Sequence, residues 1–176
     1  MFQNNNLLMY ELRNTTVNKF GKDQTGLISY KFDEYGFREG NDYKNNPYIT
    51  FFGVSLLYGI GVNTQEKFSN YFENCWNFGL AGKYTEEEII QNYHDFKKLQ
   101  IDTKVVFVWR NNTYKKYLND LNDNDIVHCI PERINMPNCI RLMEPIDYDV
   151  SNTHWGPKTH NNFYKLLNYY VCNILK

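Results

Sequence analysis

The sequence predicts an α/β fold, three layers of α/β/α around a mostly parallel central sheet, and three observations lead to it. Two continuous β-prone runs, Tyr48 to Phe52 and Lys104 to Trp109, have the apolar character of strands buried on both faces. Between and after such runs lie segments whose apolar residues recur at helical spacing. Strand and helix alternate along the chain, and a helix between two strands is the crossover that makes neighbours parallel.

Taken in order, Leu27 to Phe32 reads as a short strand, and Asp33 to Asn46 as a polar, turn-rich stretch. Tyr48 to Phe52 is the first buried strand and stops at Gly53. After Gly59 and Gly61, Thr64 is placed to cap a helix over 65–74, with Phe68, Tyr71, Phe72 and Cys75 along one side. Trp76 to Phe78 is a shorter strand ending at Gly79. Thr85 followed by Glu86, Glu87 and Glu88 forms a capping box with an acidic first turn, and that helix is expected to reach Leu99. Lys104 to Trp109 is the clearest strand. A helix over 113–121, strands at 125–130 and 139–143, and an aromatic-rich amphipathic helix over 158–174 complete the pattern.

The chain of 176 residues has the length of one ordinary domain, so 1–176 is read as a single unit, with 1–26 an N-terminal extension free to pack on its core. A hydrophobic share of 42% against 22% charged suffices for a core and argues against a disordered chain. With 19 basic against 20 acidic residues the chain lacks the basic excess of a nucleic-acid binder. The longest apolar stretch, Tyr48 to Val62, is broken by Thr50, Gly53, Ser55, Gly59 and Gly61, which excludes a spanning helix there and argues against a membrane partner. Met1 to Glu11 has neither a basic start nor a small-residue cleavage site, so a cytoplasmic location is expected. Cys75, Cys129, Cys139 and Cys172 match no zinc spacing and are read as reduced thiols, with no cofactor implied. Asn occurs 25 times and Tyr 15 times, a skew that coding bias can produce and that decides nothing about function.

Candidate chemistry gathers where strands end. Gly53-Val54-Ser55 follows a buried strand, which puts Ser55 at the carboxyl edge where open parallel sheets bind ligands. A plain glycine turn explains the same residues, and Leu57 replaces the second glycine of the lipase elbow. His154 lies on a loop before the last helix, held by Gly156-Pro157; His160 falls inside that helix and reads as structural. Asn77 to Gly82 is a glycine loop able to offer backbone N–H groups, and Trp109-Arg110-Asn111-Asn112 offers amide donors.

Together these segments resemble the SGNH (GDSL-type) hydrolases, whose blocks supply Ser, Gly, Asn and His in that order. Ser55 is followed by the Tyr-Gly-x-Gly-Val run of block one. Asn77-x-Gly-x-x-Gly82 is similar to block two, Asn111 sits where block three has its Asn, and His154-Trp-Gly-Pro-Lys resembles the surroundings of the family's His. Tyr35-Gly36-Phe37-Arg38 is similar to a Gly-Phe-Arg segment that often precedes block one. The resemblance spans about residues 30 to 175. It implies an SGNH-like, flavodoxin-like fold and a serine esterase: Ser55 as nucleophile, His154 as general base, and the Ser55 N–H, Gly82 N–H and Asn111 side chain as oxyanion donors. The implied substrate is a small-molecule or glycan ester, with an acetyl-like acyl group.

The departures are specific. Val54 replaces the Asp of Gly-Asp-Ser, Trp155 replaces Pro, and Ser151 stands where the family has the triad Asp. Asp149 or Asp147 could orient His154 from a shifted loop, or a backbone carbonyl could, leaving a dyad. Trp76, Trp109 and Trp155 adjoin the blocks and either wall a substrate pocket or pack internally; Arg110 either meets an anionic substrate group or forms a surface ion pair. Two rival classes stand beside the esterase. One is a binding module that kept the fold and lost the triad acid. The other is a metal hydrolase built on His128, Cys129, Cys139 and Asp123 or Asp125, residues that lack ligand spacing. Oligomeric state leaves no mark in the sequence.

Overall fold

In the computed structural model, which describes residues 10–81, 86–109, 115–118, 121, 126–132 and 138–173, the strands divide between two sheets. A small antiparallel pair, β1 (Thr16–Val17) with β2 (Tyr30–Lys31), precedes the main sheet. That sheet holds five parallel strands: β3 (Ile49–Gly53), β4 (Cys75–Gly79), β5 (Lys104–Val108), β6 (Ile126–Ile130) and β7 (Cys139–Arg141). Their spatial order is β4-β3-β5-β6-β7. The first strand of the sheet therefore lies inside the second, and the winding reverses at β3, the kind of position where doubly wound sheets open a crevice at their carboxyl ends.

The sheet is accompanied by α1 (Ser55–Tyr58), α2 (Glu86–Lys97) and α3 (Pro157–Asn173). Strand side chains alternate between two cores, as the two-residue period requires. Phe52 and Phe107 share one cluster with Ile89, Tyr93 and Phe96 of α2. Phe51, Val106, Val108, Val127 and Cys129 join Phe163, Leu167 and Val171 of α3 in the other. Aromatic rings fill the first core: Phe52 stacks on Phe107 at 5.5 Å between centroids and meets Tyr93 edge-on at 5.6 Å.

Two local expectations change. The helix predicted over 65–74 is instead a pair of 3₁₀ turns, Thr64–Glu66 and Phe68–Tyr71. Lys67 between them is extended, with ψ 138°, and the Phe68 N–H points to the His160 ring instead of a carbonyl one turn back, which breaks the helical ladder. The strand predicted at 27–32 pairs only through Tyr30–Lys31, with an isolated bridge from Phe32 to Arg38. In the N-terminal extension, Phe20 is part of the α2-side core and Asp23 is buried, accepting a hydrogen bond from the Tyr30 hydroxyl at 2.8 Å. Of the helix predicted over 113–121, residues 113, 114, 119 and 120 lie outside the described residues, and 115–118 and 121 form turns instead of an α-helix.

Candidate active site

The carboxyl ends of β3, β4 and β5 are level. Gly53 is in register with Gly79 on one side and Val108 on the other, and Leu80 N–H donates to Gly53 O at 2.9 Å. A Cβ on Gly53 would run into the Val108 carbonyl, so only glycine lets β3 leave the sheet so close to β5. Val54 is extended, and α1 then starts at Ser55, lifting its side chain past the strand end. The short helix stops at Gly59, whose φ of 75° suits glycine and whose N–H closes on Ser55 O.

The turn rests on buried polar groups. The Asn77 amide donates to Leu57 O at 3.1 Å and to Ser69 Oγ at 2.6 Å, while its oxygen accepts from Gly79 N–H at 2.9 Å. Arg38 is 2% exposed; its guanidinium donates to the carbonyls of Tyr58 (3.2 Å), Gly59 and Val62 (2.5 Å) and lies 4.7 Å from the Tyr30 ring centroid. Beside it, Lys67 is 1% exposed and donates to Glu39 O at 3.4 Å. Burial first, and the Arg38 charge next, lower the Lys67 ammonium pKa to about 7.

His154 arrives from the other end of the chain. Its Nε2 lies 3.2 Å from Ser55 Oγ across 99 residues of sequence, and both side chains are buried. The loop that carries it closes on itself: Asp149 N–H donates to His154 O at 3.0 Å, and Asp149 Oδ1 accepts from Thr153 N–H (3.0 Å) and His154 N–H (3.2 Å). Asn152 takes the left-handed conformation this tight loop needs, with φ 54°. Asp149 Oδ2 is 3.7 Å from His154 Nδ1, too far for a hydrogen bond, and accepts from Ser151 Oγ at 2.7 Å. Thr153 Oγ1 lies 2.9 Å from Nδ1 and 2.7 Å from Ser151 Oγ. Gly61, at φ 78°, gives this carboxylate its room, because a Cβ there would overlap Asp149.

No protein-family model, curated protein or solved structure matches this chain significantly. The chemistry of the site is therefore read from its own atoms.

Of the sequence-predicted residues, the fold brings Ser55, His154 and Asp149 together. Asp147 is not beside the imidazole: its carboxylate accepts from the N–H groups of Lys158 (2.9 Å) and Thr159 (2.7 Å) and from the Thr159 hydroxyl (2.6 Å), capping α3. Burial alone would raise its pKa, but these hydrogen bonds outweigh it and the net shift is downward. Gly82, Arg110 and Asn111 lie outside the described residues; their described neighbours Ala81 and Trp109 follow the aligned ends of β4 and β5.

All three tryptophans are buried, in keeping with internal packing, one of the two readings open to them. Trp109 is 1% exposed, stacked on Phe107 at 5.2 Å, with its indole N–H on His128 Nδ1 at 3.2 Å. Trp155 packs on Phe163 at 5.1 Å and edge-on to His160 at 5.9 Å. Trp76 is buried and donates to Asp42 O at 2.8 Å.

The remaining buried histidines are packing residues. His160 Nδ1 accepts from Phe68 N–H at 3.3 Å, and burial lowers the ring's pKa to about 3. Burial likewise lowers His128 to about 4; its second nitrogen faces Leu121 O at 3.4 Å. With both nitrogens engaged, His128 is no metal ligand as it stands. Among the described residues no His, Cys, Asp and Glu cluster has the arrangement of a metal site, and Asp123 and Asp125 lie outside them. The four cysteines are unpaired. No helix among the described residues is long and apolar enough to cross a membrane.

Sequence reasoning missed Lys67, Thr153 and the side-chain role of Asn77, and took Gly61 only as part of the glycine run after Ser55. Only Thr153 left a local signal, a hydroxyl directly before a histidine and two residues after another hydroxyl.

Proposed function

We propose that the protein is a serine hydrolase of small esters, with Ser55 as nucleophile and His154 as its base. One observation carries this reading: a buried imidazole nitrogen 3.2 Å from a serine hydroxyl at the carboxyl edge of a parallel sheet. Ser55 Oγ attacks the ester carbonyl carbon while its proton passes to His154 Nε2. The tetrahedral intermediate collapses, the C–O bond to the alcohol breaks, and Nε2–H protonates the departing oxygen. Water then attacks the acyl-enzyme, gives a proton to Nε2, and releases the acid as Ser55 recovers its hydrogen. The Ser55 N–H, the Gly82 N–H and the Asn111 amide are the donors assigned to the oxyanion, each worth roughly 100- to 1,000-fold in rate. The buried surroundings of Ser55 favour a short acyl group, and a small-molecule or glycan acetyl ester is the substrate class of choice.

The 3.7 Å gap between Asp149 and the imidazole favours a second reading, a binding module that retains the pair without turnover. Hydrolysis of p-nitrophenyl acetate separates the two. The hydrolase reading predicts turnover that Ser55→Ala abolishes while the far-UV spectrum and the unfolding midpoint are unchanged. Turnover undiminished in Ser55→Ala would overturn the nucleophile assignment.

A further inference from the structure

We propose that Ser151 and Thr153 form a hydroxyl relay that links Asp149 to His154 and fixes which ring nitrogen carries the proton. The proposal rests on the Ser55–His154 reading and assigns positioning residues to it. Four polar atoms follow one another at hydrogen-bond distance: Asp149 Oδ2 to Ser151 Oγ at 2.7 Å, Ser151 Oγ to Thr153 Oγ1 at 2.7 Å, and Thr153 Oγ1 to His154 Nδ1 at 2.9 Å.

The direction of this chain follows from counting hydrogens. An ionised carboxylate only accepts, so Ser151 gives its one hydroxyl hydrogen to Asp149. Ser151 Oγ then faces Thr153 as an acceptor, and Thr153 gives its own hydrogen to Ser151. Thr153 Oγ1 has no hydrogen left for the imidazole, so the short contact to Nδ1 requires the ring to donate there. A neutral imidazole has a single N–H. With that hydrogen on Nδ1, Nε2 presents a bare lone pair to Ser55 Oγ, 3.2 Å away. This is the tautomer a general base needs, and it is set without direct contact between the acid and the ring. The carboxylate is well fixed for the task. Its Oδ1 holds two backbone N–H groups of the same loop, so the polarity of the relay is tied to the loop's own folding.

Thr153 is exposed, so removing its hydroxyl leaves the core intact. The test compares wild type, Thr153→Val, Thr153→Ser and Ser151→Ala, at a pH where His154 is neutral, by long-range ¹H–¹⁵N NMR of the imidazole, alongside kcat and KM for p-nitrophenyl acetate. The relay predicts an Nδ1–H tautomer in wild type and in Thr153→Ser. It predicts that Thr153→Val admits the Nε2–H form and lowers kcat on the order of 100-fold with little change in KM, in line with the cost of a misoriented catalytic histidine. Ser151→Ala moves both readouts the same way, because Thr153, left without Ser151 as acceptor, is free to donate its own hydrogen to Nδ1. An unchanged tautomer in Thr153→Val, or an Nε2–H tautomer in wild type, overturns the relay. The predicted tautomer shifts in a protein without esterase turnover support the relay and overturn the hydrolase reading instead.

Discussion

The turn that carries Ser55 is held from beneath by a cation, whereas the loop that carries His154 is held by two carboxylates. Arg38 donates to three carbonyls where α1 ends, at Tyr58, Gly59 and Val62. Asp149 and Asp147 instead accept backbone N–H groups, in the His154 loop and in the first turn of α3. Each charge matches the sign of the backbone groups that a helix end or turn leaves unpaired. Burial separates the two regions further. Arg38 and Lys67 are interior, while the His154 loop is mixed: Asp149 and His154 are buried, Asp147 is only partly covered and Thr153 is exposed. The contrast teaches that the position of Ser55 belongs to the stability of the fold, whereas that of His154 depends on a loop with an exposed hydroxyl, on Thr153, that can be altered with the core intact.

Three substitutions sharpen that contrast. Arg38→Met has the largest expected effect, since it strips donors from three carbonyls around a buried turn. With each orphaned group costing about 1–3 kcal/mol, a loss of ~3 kcal/mol or more in urea unfolding is predicted. A loss below ~1 kcal/mol would show that the turn does not depend on the guanidinium.

Lys67→Met comes next, and its effect depends on pH. The folded pKa of about 7 lies below the ~10.4 of a free lysine, so unfolding takes up a proton between those values and wild-type stability rises with pH across that window. Below pH 7 the folded protein bears the full cost of the buried charge. The methionine variant is therefore predicted to be more stable than wild type by a few kcal/mol at pH 6, and to lose that advantage as pH approaches 10. A wild-type advantage at pH 6 would contradict the assignment.

Asp147→Ala has the smallest effect, about 1 kcal/mol for the lost cap of α3, with Ser55 reactivity retained. Loss of that reactivity would mean that Asp147 orients the imidazole after all.

Much of the fold was readable because strong patterns agreed with their surroundings. Ile49 to Gly53 and Lys104 to Val108 are apolar but for Thr50 and Lys104 and lie in the middle of the sheet, flanked by strands on both sides. The acidic first turn at Glu86 and the amphipathic spacing after Pro157 mark real helices. The segment around Lys67 was misread because its spacing of Phe68, Tyr71 and Phe72 mimics a helix. What decides its shape is tertiary: a lysine drawn under Gly59 and an N–H taken by His160, 92 residues away. Ser55 and His154 stood out because each lies at the end of a recognisable element. Asp149 was one of two acids within reach by sequence, and only the closed loop separates it from the cap at Asp147. Trp109 and Trp155 stayed open between pocket wall and internal packing because proximity in sequence to a candidate block says nothing about which way a ring points.

Intact-mass spectrometry after exposure to a fluorophosphonate tests the Ser55–His154 pair most directly. The account predicts one adduct per chain, mapped to Ser55, and its loss in His154→Ala. Equal labelling of wild type and His154→Ala, or an adduct at another residue, would contradict it.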